Sequence, residues 1–125
     1  MEIMKKITLR IANKGELKTS ETYAINLLKN MNKNKTFGVI GVCGANGNLI
    51  ARILKQRGYN VIGTDLSFKK DCRFAKALEG YDIDVFYGKT PDAFFNKPDY
   101  VIPPASLSKD SEVYKKINKP ILELK

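Results

Sequence analysis

Apolar and polar residues follow two different patterns along the 125-residue chain, and the pattern changes near residue 36. Before this point, residues 5–13 alternate between apolar and polar as a β-strand does. A helix is predicted to begin near Thr19 or Ser20, because apolar residues then recur at helical spacing. This stripe consists of Ala24, Leu27, Leu28 and Met31. We therefore predict an N-terminal strand–helix appendage over residues 1–35.

From residue 36 onward, short apolar runs alternate with amphipathic segments. The runs predict strands at residues 37–42, 60–64, 83–87, 99–102 and 120–124. The segments between them predict a helix after the first strand, a second over 70–78 and a third over 108–117. Short connections between alternating strands and helices are typical of a parallel sheet covered on both faces. The fold class predicted for residues 36–125 is therefore α/β and Rossmann-like, with a mostly parallel sheet of about five strands.

The connection between the first strand and its helix is rich in glycine. Gly41, Gly44 and Gly47 form a G-x-x-G-x-x-G pattern that starts where the strand ends. Such a turn lets the backbone approach a phosphate, and the N–H groups of the helix start point at the anion. Asp65 ends the second strand, where a carboxylate can accept hydrogen bonds from ribose or a nucleobase. The alternative is that the glycines only allow a tight turn in the chain.

Asn48 follows this turn, and its position permits two roles. Its amide can reach a bound phosphate, or it can cap the start of the helix.

Charge and composition narrow the functional classes. The chain has 22 basic and 13 acidic residues, a net charge of +9, and no histidine. The absence of histidine excludes histidine-based triads and histidine general bases. The lysines are scattered rather than clustered, which favours attraction of a phosphate-bearing small molecule over a nucleic-acid interface.

No apolar run has the length of a membrane span. We expect a cytoplasmic protein in which Cys43 and Cys72 are free thiols, Cys43 as a small loop residue and Cys72 in the core.

Two stretches of the chain resemble the N-terminal domain of Mur ligases, the ATP-dependent amide ligases that build the peptide of cell-wall precursors. Residues 38–67 (GVIGVCGANGNLIARILKQRGYNVIGTDLS) are similar to its glycine-rich turn, helix and second strand, most of all in the UDP-N-acetylmuramate–alanine ligase type. Residues 85–124 are similar to its later part, with DYVI, a proline-containing loop, an S-E helix start and a final P-I-L strand.

The resemblance implies a binding site for the uridine diphosphate of a nucleotide-linked substrate. It places the turn against the diphosphate, Asp65 near the uridine, and the loop after the fourth strand beside the ligand. The turn residues so implied are Cys43, Gly44, Ala45, Asn46 and Gly47, and the loop residues are Pro104, Ala105 and Ser106. The chain departs from the family at Cys43 or Asn46, where a second glycine is common, and at Pro103, where serine is common.

The resemblance does not extend to catalysis. The family's ATP-binding P-loop belongs to another domain, and these 125 residues contain no G-x-x-x-x-G-K-[ST] motif. We predict no catalytic residue and no metal ligand. The chain is expected to be either the N-terminal domain of a longer ligase, which acts with a catalytic partner domain, or a stand-alone relative that only binds the substrate. Within a longer chain, the implied enzyme would be an ADP-forming amide ligase.

Two other functions fit the same residues. The first is a small NAD(P)- or S-adenosylmethionine-binding module, which predicts a deep cleft and an Asp65 carboxylate directed at a ribose. The second is a non-catalytic assembly protein, which predicts an occluded turn and a homodimer face built from residues 1–35.

Overall fold

Seven strands form one sheet in this computed structural model, which describes residues 6–11, 17–19 and 33–124. The strands are β1 (Lys6–Ile11), β2 (Leu17–Thr19), β3 (Thr36–Ile40), β4 (Asn60–Asp65), β5 (Asp84–Tyr87), β6 (Tyr100–Ile102) and β7 (Ile121–Leu124). The helices are α1 (Ala45–Gln56), a 3-10 helix (Lys69–Asp71), α2 (Ala75–Gly80), α3 (Asp92–Asn96) and α4 (Glu112–Lys115).

The strand order explains where a ligand can be received. The order across the sheet is β2-β1-β7-β6-β3-β4-β5, and every neighbouring pair is parallel except β1 with β2. From β3 the chain proceeds to β4 and β5 on one side, and then returns to β6 and β7 on the other. The order therefore reverses between β3 and β6, and in open α/β sheets ligands bind at the carboxyl end of such a switch point. The predicted α/β, Rossmann-like fold is confirmed.

Each face of the sheet carries its own apolar core, which gives three layers. One core packs α1 and α2 against the sheet, and its fully buried members include Phe37, Ile50, Leu54 and Leu78. The other packs α3 and the segment after α4 against the opposite face, around Phe94. Both faces are covered because the central parallel strands are apolar on both sides.

The N-terminal strand joins this sheet as a sixth parallel strand. β1 pairs with β7 in a register that sets Leu9 opposite Leu124. Leu9 is 0% exposed and Leu17 of β2 is 5% exposed, so both side chains are buried. The predicted helix beginning near Ser20 lies outside the described residues. The proposed boundary between residues 35 and 36 stays a prediction, but the two sides of it share one sheet.

Helical segments after β4 differ from their predicted bounds. The helix predicted over 70–78 is divided into the 3-10 helix and α2, because Cys72 between them has extended backbone (φ −87°, ψ 104°). The helix predicted over 108–117 is limited to α4. Its N-cap is Ser111, whose side chain accepts a hydrogen bond from the Tyr114 N–H. The five-residue α3 was not predicted, since it is too short for a periodic pattern. No helix in the described residues is long and apolar enough to cross a membrane.

The expectation of free thiols is wrong. Cys43 and Cys72 form a disulfide, with their Cα atoms 5.4 Å apart and a sequence separation of 29. The pairing follows from the fold: parallel β3 and β4 bring the segments after their carboxyl ends together, which sequence distance alone does not reveal.

A glycine-to-alanine pair tests how tightly the turn packs on the sheet. A Cβ at Gly63 in β4 would lie 2.9 Å from Val42 Cγ1, whereas one at Gly80 at the end of α2 would meet nothing within 4 Å. We expect Gly63→Ala to lower the free energy of unfolding by about 1–3 kcal/mol, the usual cost of overpacking a core. Gly80→Ala should leave it unchanged or raise it by up to about 1 kcal/mol, since alanine favours the helix. Urea unfolding followed by circular dichroism measures both, and equal values would contradict the close packing.

Candidate functional site

The connection between β3 and α1 is built around Gly41, which has a φ of +75°. Side-chain-bearing residues rarely adopt this conformation, and a Cβ here would also lie 3.2 Å from the Pro104 ring. The N–H groups of Gly41 and Val42 both donate to the Thr64 carbonyl, at 2.9 and 3.2 Å, which fixes the turn to β4. The Gly44 N–H donates to the Gly41 carbonyl at 3.0 Å and closes the turn.

The other two glycines have different tasks. A Cβ at Gly47 would collide with the Gly41 carbonyl oxygen and lie 3.1 Å from the Val42 Cα, so only glycine lets α1 start against the turn. Gly44 has ordinary extended backbone (φ −77°, ψ 165°) and is exposed. Gly41 and Gly47 therefore close the turn, and Gly44 leaves its outer surface open.

The Asp65 carboxylate ties this turn to the end of β4. Its Oδ2 accepts a hydrogen bond from the Cys43 N–H at 2.9 Å, and its Oδ1 accepts one from the Ser67 N–H at 2.9 Å. Both oxygens are thus used by the backbone, and the carboxylate is directed into the turn. A contact of Asp65 with uridine or ribose stays a prediction. On β5, opposite Asp65, burial raises the pKa of the Tyr87 phenol above its ordinary value, so this hydroxyl is neutral at pH 7.

Asn48 holds the start of α1 together. Its side chain is 2% exposed, and its Nδ2 donates to the carbonyls of Gly44 and Ala45, at 3.0 and 2.7 Å. Its Oδ1 accepts from both Nε and Nη2 of Arg52, at 3.1 and 2.7 Å. The N-cap position belongs to Gly44. The capping role predicted for Asn48 is therefore wrong, because its side chain instead holds the carbonyls beneath the turn. A contact between its amide and a bound phosphate stays a prediction.

A cleft of about 680 Å³ lies at the switch point, where the turn faces the carboxyl ends of β6, β7 and β1. It brings together most of the residues predicted to bind a ligand. The lining residues are Ile11, Ile40, Gly41, Gly44, Ala45, Asn46, Gly47, Pro104, Ala105, Ser106 and Leu124. None of these side chains is charged, so the polar groups available to an anion here are backbone N–H groups, the Asn46 amide and the Ser106 hydroxyl.

The turn is open to this cleft. Gly44, Ala45 and Asn46 are exposed. The first N–H groups of an α-helix have no carbonyl one turn earlier to bind, and α1 begins at Ala45. The N–H groups at Ala45, Asn46 and Gly47 therefore offer donors at the positive end of the helix dipole. An occluded turn, as a non-catalytic assembly protein would have, is not what the described residues form.

A smaller apolar pocket of about 170 Å³ lies on the β4 side of the same turn. Ile40, Gly41 and Pro104 line both this pocket and the cleft, so the two cavities share these three residues. The pocket's other walls are Thr64, Asp65, Leu66, Thr90, Leu107 and Val113.

Several lining residues were not predicted, including Ile11, Leu124 and Thr90. Ile11 and Leu124 each end a strand of the parallel sheet. They reach the site only because β1 and β7 lie side by side, and the apolar pattern of the sequence carries no signal for that neighbourhood.

Two comparisons find ligases that resemble this chain, although no protein-family model matches it. A UDP-N-acetylmuramate–L-alanine ligase from Rickettsia bellii is 35% identical over 95 residues, which cover 75% of this chain. The solved structure of a pseudomurein peptide ligase type C from Methanothermus fervidus superposes with a TM-score of 0.63 at 30% identity, over 73% of this chain. The matched part spans only 19% of the length of each relative.

Replacement of Asp65 tests its role as the tie between turn and strand. Asp65→Asn keeps one oxygen as an acceptor but replaces the other with an NH2 group. One of the two backbone N–H groups, of Cys43 or of Ser67, then loses its acceptor. We expect the free energy of unfolding to fall by about 1–2 kcal/mol, the lower part of the usual cost of an unsatisfied donor, because the two hydrogen bonds are only partly buried. Asp110→Asn is the matched control, because Asp110 is exposed, and it should change stability by less than about 0.5 kcal/mol. Equal effects of the two variants in thermal unfolding would contradict the role of Asp65.

Proposed function

We propose that this chain, which carries a Mur ligase-like domain, binds the diphosphate of a nucleotide-linked substrate in the cleft at its switch point. The observation that carries the proposal is that the start of α1 lines this cleft, at Ala45, Asn46 and Gly47, with Ala45 and Asn46 exposed. Diphosphates bind such positions because the N–H groups donate to the phosphate oxygens and the helix dipole favours negative charge.

Charge supports the same ligand class. The chain has a net charge of +9, yet no charged side chain lines the cleft. The overall charge attracts a polyanion over distance, whereas the backbone of the turn holds it at contact. Recognition by backbone donors suits a diphosphate, which has many acceptor oxygens and no donor.

The two cavities suggest how the ligand lies. The diphosphate would rest on Gly44, Ala45 and Asn46, between the apolar pocket and the larger cleft. A nucleoside would then extend towards the β4 side, where Leu66 is 69% exposed beside the apolar pocket. The sugar would extend over the loop Pro104–Ser106, which lines the cleft. We propose a UDP-type ligand because the Rickettsia bellii relative is named for UDP-N-acetylmuramate.

The position of Asp65 lends no support to the ribose-binding role on which the NAD(P) or S-adenosylmethionine alternative depends. A ribose-binding acid needs its carboxylate directed at the ligand hydroxyls. Here each oxygen of Asp65 already accepts a backbone N–H, from Cys43 and from Ser67.

The contribution proposed for this chain is positioning. A substrate held by its diphosphate presents its reactive end in one orientation, which lowers the entropic part of a reaction barrier. The ATP-dependent step would belong to a partner that carries the ATP site, since no P-loop motif occurs in these residues. The proposal places this function in the cytoplasm, because a nucleotide diphosphate is too highly charged to cross a membrane unaided.

A single added carboxylate tests the site. In Ala45→Glu, a negative charge stands at the first residue of α1, where it stabilises the helix but repels a diphosphate. We expect the affinity for UDP and for UDP-N-acetylmuramic acid, measured by calorimetric titration, to fall about tenfold or more, while the thermal midpoint stays the same or rises.

Ala93→Glu is the matched control. Ala93 is also exposed and lies in the first turn of a helix, α3, but it does not line the cleft. Its affinity for UDP should equal that of the unaltered chain. Equal loss in both variants, or binding of NAD or S-adenosylmethionine in preference to UDP by the unaltered chain, would contradict the proposed function.

A further inference from the structure

The disulfide between Cys43 and Cys72 ends on the glycine-rich turn itself. Cys43 is the residue immediately before Gly44, the N-cap of α1. Cys72 lies 29 positions later, between the 3-10 helix and α2. Cys43 is half-buried, whereas Cys72 is buried at 7% exposure among apolar residues of the larger core. The covalent bond thus connects a ligand-facing turn to the body of the domain.

Cys43 has two connections of different kinds. Its N–H donates to Asp65 Oδ2 at 2.9 Å, and its Sγ is bonded to Cys72. Only the second depends on oxidation. The backbone donors that a ligand would use begin two residues later at Ala45. The hydrogen bond to Asp65 and the disulfide, which fix Cys43, therefore also restrict the motion of those donors.

We propose that Cys43 and Cys72 form a reversible redox switch of the glycine-rich turn. The disulfide state keeps the turn in its anion-binding arrangement, and the dithiol state loosens it and weakens ligand affinity. The effect on the ligand rests on the proposed function, whereas the effect on the turn does not.

The switching step is thiol–disulfide exchange with a dithiol reductant, and it balances. A thiolate of the reductant attacks the Cys43 sulfur, the more accessible of the two, and the Cys43–Cys72 bond breaks as Cys72 leaves and takes up a proton. The second thiol of the reductant then attacks the mixed disulfide and releases the Cys43 thiolate. Two electrons pass from the reductant, which becomes a cyclic disulfide, to the protein. An oxidised dithiol reverses the sequence.

The surroundings of the pair indicate a local effect. Reduced Cys72 would be a small apolar side chain in an apolar site, where free cysteine is commonly found. The sheet does not depend on the bond, since β3 pairs with β4 over five residues and with β6 over three. After reduction the turn would still be held by Asp65 and by the donors to Thr64, so we expect loosening rather than unfolding.

Amide hydrogen exchange tests the switch without any ligand. The N–H groups of Gly41, Val42, Cys43 and Gly44 are all hydrogen-bonded in the turn and serve as reporters. After reduction with dithiothreitol, we expect their exchange to rise about tenfold more than that of Val101 in β6, whose N–H is bonded within the sheet region. Cys72→Ser should exchange at the reduced rate with or without dithiothreitol.

Three outcomes would overturn the switch. Cys43 and Cys72 could fail to form their disulfide in the chain equilibrated with an excess of oxidised glutathione. Amide exchange could increase by the same factor in the turn and in β6, which would show that the disulfide stabilises the whole domain and not the turn in particular. The exchange of the turn could also stay unchanged.

Calorimetric titration with UDP in the two redox states tests the effect on the ligand. We expect affinity to be about fivefold weaker in the reduced chain, and equal to that of Cys72→Ser. Because coupling is reciprocal, saturating UDP should make the disulfide harder to reduce by the same factor. Equal UDP affinity in both states would overturn the switch and leave the proposed function intact. Absence of UDP binding in both states, with the turn still loosened by reduction, would overturn the proposed function alone.

Discussion

The contact between Gly47 and the carbonyl of Gly41 is the constraint on which the rest of the site depends. Because Gly47 has no side chain, α1 begins against the turn instead of a residue further away. That closeness brings the first N–H groups of α1 to the carboxyl edge of β3, where the strand order reverses. It also brings Cys43 within reach of both Asp65 and Cys72. The glycine at position 47 thus underlies the cleft, the N–H donors of α1 and the two connections of Cys43, to Asp65 and to Cys72.

Long-range and short-range electrostatics are divided between different parts of the molecule. The net charge of +9 comes from side chains across the surface, whereas the cleft is lined by uncharged residues. Donors fixed in the backbone need no rotamer ordering when an anion arrives, so little conformational entropy is lost there. Asp65, Thr64 and the disulfide hold the turn in place, and this rigidity would contribute to the proposed affinity for a diphosphate.

Local chemistry was predictable from the sequence, and contacts set by topology were not. The order of strand, glycine-rich turn, helix, strand and acid predicts the turn that lines the cleft, because each of these features is encoded within a few residues. The position of β1 beside β7, which brings Ile11 to the cleft, depends on strand order. The direction of the Asp65 carboxylate and the pairing of the two cysteines depend on how β3 and β4 align. Asn48 shows the same limit. An asparagine that caps a helix and a buried asparagine that binds backbone carbonyls have the same sequence pattern.

In the proposed function, backbone N–H groups at the start of α1 hold the diphosphate. The most direct test is a titration of the 15N-labelled chain with UDP, with uridine as the comparison, followed by amide chemical shifts. We expect the amide shifts of Ala45, Asn46 and Gly47 to change most with UDP and scarcely with uridine, because only UDP has phosphates. Shifts confined to other parts of the chain, or the same shifts with uridine at these three amides, would contradict it.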